Sequence, residues 1–116
     1  MSEFTLYHNP RCSKSRATLA LLEEKGIHPD IVLYQETPLG ADDISALLVK
    51  LDMAASQLVR SGEADYKEAG LSKASTEAEL VAAMAARPKL IERPIVVKGA
   101  SAVLGRPPEN VLRLIS

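Results

Sequence analysis

The 116-residue chain is 47% hydrophobic and 25% charged, the composition of one ordinary globular domain able to bury its own core. A formal net charge of −1, with acids and bases interspersed, removes any general electrostatic case for a nucleic acid or membrane partner. The single cysteine excludes an internal disulfide and a multi-cysteine zinc site, so no metal is expected, and its thiol is either an inert core group or a reactive one.

Met1-Ser2-Glu3 leads into an apolar stretch without the basic region, long apolar run and cleavage site of a secretory signal. No segment reaches the roughly 18 apolar residues of a membrane span, and a cytoplasmic location is expected. Phe4 to Tyr7 reads as a short first strand, and His8-Asn9-Pro10-Arg11 as the loop after it. From Ser13 the pattern turns helical, with Ser15, Leu19 and Leu22 continuing the line of Cys12, and Gly26 stands where a left-handed stop belongs. Cys12 is thereby expected at or just before a helix N-terminus. Ile31 to Tyr34 reads as a second strand.

Ala41 to Leu51 places Ile44, Leu47, Leu48 and Leu51 on one helix face. Ala55 to Arg60 reads as a short helix ended by Ser61-Gly62, and Thr76 with Glu79 has capping-box spacing ahead of Leu80, Ala83 and Met84, up to Pro88. Ile95 to Lys98 and Ser101 to Leu104, around Gly99-Ala100, predict a β-hairpin. Pro107-Pro108-Glu109 opens a last helix carrying Val111, Leu112 and Ile115. The order predicts an α/β fold: a mixed four-stranded sheet with flanking helices, its parallel crossover of fixed hand.

The nucleophilic form of cysteine is the thiolate, and a free thiol with pKa about 8.5 is mostly protonated near neutrality. A helix N-terminus supplies unpaired N–H groups and the positive dipole end. Arg11, Lys14 and Arg16 add cations nearby, and His8 is placed to approach Cys12 across the loop. Ser15, one turn on, has a hydroxyl able to donate to the thiolate, but Cys-x-x-Ser offers no second thiol for a dithiol pair. A buried structural cysteine is the alternative. His8 likewise has a structural alternative, and His28 in Gly-Ile-His-Pro reads as solvated surface.

Strand, loop and helix with cysteine at the turn resemble the thioredoxin fold. Tyr7-His8-Asn9-Pro10-x-Cys12-x-x-Ser15-Arg16, Glu92-Arg93-Pro94-Ile95-Val96 and Gly105-Arg106-Pro107-Pro108-Glu109 together resemble the glutaredoxin-coupled arsenate reductases, the ArsC family, over essentially the whole chain. The resemblance implies a single thioredoxin-like domain over residues 1–116, with a helical insertion between strands two and three. It implies an oxidoreductase reducing arsenate to arsenite with Cys12 as the nucleophile, and the residues around Cys12 point to activation by His8, Ser15 and the helix start. Arg60, Arg93 and Arg106 would hold the oxyanion. Glutathione would serve as co-substrate, glutaredoxin would complete the reduction, and no cofactor would be bound. It also implies a cis Arg93–Pro94 bond beside the cysteine loop, making Pro94 a structural cis-proline candidate.

Each arginine has another reading. Arg60 at the end of a predicted helix suits the helix dipole, and Arg93 and Arg106 each precede a proline, which pushes both toward extended geometry. Ser13-Lys14-Ser15-Arg16 after the cysteine departs from the Gly-Thr-Ser-Arg of the best-characterised arsenate-reducing pattern, changing size and charge beside the nucleophile. A phosphatase-like arsenate reductase requires Cys-x5-Arg, whereas Thr18 stands sixth after Cys12. Two further classes share the fold: Spx-type regulators, which bind RNA polymerase and commonly carry Cys-x-x-Cys, and monothiol glutaredoxin-like deglutathionylases, which need a glutathione groove rather than three arginines.

Overall fold

The computed structural model describes residues 3–115. In chain order the elements are β1 (Phe4–Tyr7), α1 (Ser13–Glu24), β2 (Asp30–Val32), α2 (Ala41–Leu51), α3 (Ala55–Leu58), α4 (Ala64–Glu68), α5 (Glu77–Ala86), β3 (Ile95–Lys98), β4 (Ser101–Leu104) and α6 (Leu112–Ile115). Single 3₁₀ turns cover Pro88–Leu90 and Pro108–Val111. The described residues form two compact units: residues up to Thr37 together with those from Arg93 onward, and Pro38–Glu92. No helix among the described residues is long and apolar enough to cross a membrane.

The first unit is the mixed sheet of a thioredoxin-like fold, with strand order β2-β1-β3-β4. β1 runs parallel to β2 and antiparallel to β3, and β3 and β4 form the hairpin around Gly99-Ala100. Gly99 takes φ +61° there, a left-handed conformation that costs glycine little. Central β3 buries Ile95, Val96 and Val97 in succession, as a strand covered on both faces must. β1 alternates instead, burying Phe4 and Leu6. These two residues, with Leu22 of α1, Val96, Val111 and Leu114, make the core of this unit.

Three expectations need correction here. β2 ends at Val32 rather than Tyr34, because its partner β1 stops at Tyr7: His8 N–H makes the last bond, to Val32 O (2.9 Å), and Leu33 O then accepts from the N–H groups of Glu36 and Thr37 in a turn. α1 buries Ser15, Thr18 and Leu22, with Leu19 only half-buried. The terminal helix starts as a 3₁₀ turn, which rotates its buried face to Val111 and Leu114 and leaves Leu112 exposed.

The second unit is helical and lies in the chain between β2 and β3. α2 buries Ile44, Leu47, Leu48 and Leu51 and packs on α5, as does α3. Thr76 caps α5 by accepting from Glu79 N–H (3.1 Å), while the Glu79 carboxylate accepts from Thr76 N–H (2.7 Å), satisfying two orphan donors reciprocally. α3 stops at Leu58, short of the expected Arg60. Val59 is extended and bridges Ile91, with Arg60 N–H donating to Leu90 O (2.7 Å) and Glu92 N–H to Leu58 O (3.0 Å).

Candidate active site

The site is built from the C-terminal end of β1 and the first turn of α1. Leaving β1, the chain is held by Cys12 N–H donating to Asn9 O (2.9 Å) and by the Asn9 side-chain oxygen accepting from Arg11 N–H (3.0 Å). This tight turn delivers Cys12 to the N-cap of α1, in extended conformation (φ −94°, ψ 123°). Its carbonyl accepts from Arg16 N–H (3.0 Å), starting the helix, and its half-buried sulfur lies where the helix leaves N–H groups unpaired.

The Cys12 pKa is lowered. Burial alone would raise it, and that is outweighed by the backbone N–H groups of Ser15 and Lys14, then by the positive charge of Arg93 and a hydrogen bond from its guanidinium. No well-aligned capping bond joins the sulfur to the helix, so the two N–H groups act on it mainly as oriented dipoles. The cations adjacent in sequence have other places. Arg16 braces the loop by donating to Pro10 O (2.8 Å), and Arg11 and Lys14 are exposed. The cation that reaches the thiol comes from the far end of the chain.

His8 is buried, 6% exposed, and meets Ser15 rather than Cys12. Its Nδ1 lies 2.6 Å from Ser15 Oγ, which also accepts from Asn9 N–H (3.0 Å). Burial, and secondarily the charge of Arg16, lower the His8 pKa, favouring a neutral ring at neutral pH. The pair thus ties the loop to α1.

Arg93 and Arg106 flank the hairpin of the same sheet, Arg93 just before β3 and Arg106 just after β4. The Arg93–Pro94 and Arg106–Pro107 peptides are both cis, the second unforeseen from the sequence. Arg106 donates from its guanidinium to Arg93 O (3.2 Å), and Gly105 N–H donates to Pro94 O (2.9 Å). Gly105 also touches α1. A β-carbon there would lie 2.5 Å from Thr18 Oγ1 and 2.8 Å from Pro94 Cγ, closer than real contacts permit, so this position requires glycine. Thr18 Oγ1 in turn donates to Lys14 O (2.8 Å), in the first turn of the helix. The packing of Gly105 against Thr18 has no local sequence signal.

Cys12, His8, Ser15, Arg93, Pro94 and Arg106 all belong to the sheet unit. Arg60 belongs to the helical unit, on the extended segment after α3, where its guanidinium sits between carboxylates: NH1 is 3.0 Å from Glu63 Oε2 and Nε is 3.7 Å from Glu92 Oε1. No group of three or more His, Cys, Asp or Glu suited to a metal occurs among the described residues.

A sequence profile described as the ArsC family matches residues 7–114. The chain belongs to the ArsC family. It is 42% identical over 113 residues to an arsenate reductase of Neisseria meningitidis serogroup B, covering 96% of this chain and 97% of that one. It is 52% identical over 112 residues to the uncharacterised Escherichia coli (strain K12) protein YfgD, covering 95% and 94%. Among solved structures it matches an arsenate reductase from Vibrio cholerae with TM-score 0.91 at 46% identity, covering 95% of each chain. This ArsC-family chain therefore shares nearly its whole length with relatives that bear an enzymatic name.

Proposed function

We propose that this protein is a cytoplasmic, single-domain arsenate reductase in which the Cys12 thiolate attacks arsenate, with glutathione and then glutaredoxin supplying the reducing thiols. The observation that carries the proposal is the place of Cys12 at the N-cap of α1, where the Ser15 and Lys14 N–H groups and the Arg93 guanidinium act to lower its pKa. An anionic nucleophile and an anionic substrate repel each other unless fixed positive charge offsets both. Guanidinium groups are permanently charged, and their planar fork suits an oxyanion's geometry. Arg93 and Arg106 take this part, and the family resemblance adds Arg60. Within the helical unit that third arginine pairs with Glu63 and Glu92.

His8 and Ser15 act as positioning residues: their buried bond fixes the loop that delivers Cys12. The electron balance explains the external thiols. Arsenate and two thiols give arsenite, a disulfide and water, and a chain with one cysteine needs partners to finish the two-electron step. No resident cofactor enters this scheme.

The test is steady-state turnover with arsenate, glutathione and glutaredoxin. Wild type turns over while Cys12→Ser does not, and Arg106→Ala lowers kcat/KM for arsenate. Equal turnover of wild type and Cys12→Ser would refute the proposal. So would recovery of RNA polymerase on the immobilised protein, undiminished by Cys12→Ser and without arsenate turnover, which is the signature of the Spx-type role.

A further inference from the structure

A cavity of about 280 Å³ opens beside the cysteine loop, walled by residues 8–11 on one side and by Leu33, Gln35 and Glu36 on the other. Both walls are braced from within. His8 N–H bonds Val32 O, Glu36 N–H bonds Leu33 O, and Tyr34 between the wall residues is 1% exposed and anchors its segment. The Asn9 side-chain oxygen accepts from Arg11 N–H.

Three exposed polar groups remain on the walls. The Arg11 guanidinium and the Gln35 and Glu36 side chains make no hydrogen bond or ion pair among the described residues, and Arg11 and Glu36, though they line one cavity, are not bonded to each other. Pro10 and Leu33 add apolar surface. A ligand matching this lining carries a cation and an anion at one end, an amide for Gln35 and a short apolar body.

We propose that this cavity is the docking site of the thiol co-substrate, and that its occupant is glutathione, whose γ-glutamyl end carries an ammonium for Glu36 and a carboxylate for Arg11. This rests on the thiol-dependent reduction proposed above. Cys12 follows Arg11 in the chain but does not line the cavity, so a tripeptide seated here has to extend its cysteinyl arm past Arg11 to meet the reacting sulfur. In the step it serves, the glutathione sulfur bonds to the arsenic already carried by Cys12. The thiol proton leaves with one arsenic-bound hydroxyl as water, and arsenic stays pentavalent until the following thiol supplies the reducing electrons.

S-methylglutathione, which binds without reacting, tests the site independently of turnover. Titrated into the full chain and followed by backbone amide NMR, it shifts residues 8–11 and 33–36 and no comparable cluster elsewhere. Arg11→Ala and Glu36→Gln each weaken its binding about two- to fivefold, the size of an exposed charge contact. Absence of binding, shifts clustered elsewhere, or unchanged affinity in both variants would overturn the assignment. If binding follows the expected pattern while arsenate turnover is absent, the site stands and the reductase proposal falls.

Discussion

Arg93, close to the far end of the chain from Cys12, brings its guanidinium to the Cys12 thiol and lowers its pKa together with the Ser15 and Lys14 N–H groups. Thiolate stabilisation is therefore divided between a helix start, which belongs to α1, and one cation, which belongs to the segment entering β3. Replacing Arg93 with alanine removes the second contribution only. Arg93→Ala should raise the Cys12 pKa, read as the midpoint of the pH-dependent rate of iodoacetamide alkylation. Arg93→Lys should fall between the two, since lysine restores charge but not the fork.

Ser15 acts on Cys12 through its backbone, whereas its side chain serves the loop. Ser15→Ala leaves the Asn9 N–H and the buried His8 ring without their shared partner. Stability to urea should fall by about 1–3 kcal/mol, the cost of stranding a buried polar group. Cys12 should keep most of its lowered pKa in this variant, because the Ser15 N–H remains.

Gly105 fits between Thr18 and Pro94 with no room for a methyl group. Gly105→Ala should cost about 1–3 kcal/mol, typical of overpacking. Adding Thr18→Ala should recover part of that loss, as expected of two residues in contact. The Pro94 contact persists in the double variant, so recovery stays incomplete. Urea melts of the two single variants and the double variant check the cycle.

The lowered His8 pKa makes stability depend on pH. The ordinary value is 6.5 and the folded value lies below it, so between the two the unfolded chain binds more protons than the folded one. Stability from this group is complete above 6.5 and declines as the pH falls toward the folded value. Urea midpoints measured at pH 7.5 and at acidic pH should differ more for wild type than for His8→Asn, which lacks the titrating ring.

The hairpin strands and α2 could be read from the chain because local pattern fixes them: alternation around a Gly turn, and four apolar residues on one helical face. The C-terminal end of β2 is not legible locally, since it is set by where β1 stops, which no residue of 30–34 encodes. The helical pattern of 55–60 does not show that α3 ends before Arg60, because the end follows from pairing of Val59 with Ile91, a long-range contact. α4 leaves no apolar period in the sequence because it buries no residue. At the site, the helix start before Ser13 is legible, but nearness in sequence is a poor guide to which cation matters: Arg16 braces backbone, while Arg93, far off in sequence, acts on the sulfur.

The start of α1 and Arg93 together hold the Cys12 pKa below that of an ordinary thiol. The pH dependence of Cys12 alkylation in the folded wild-type protein, compared with the same chain in denaturant, tests it most directly. The folded midpoint should lie clearly below the about 8.5 of a free thiol and move up to the ordinary value on unfolding. A folded midpoint at or above that of the denatured chain would contradict it.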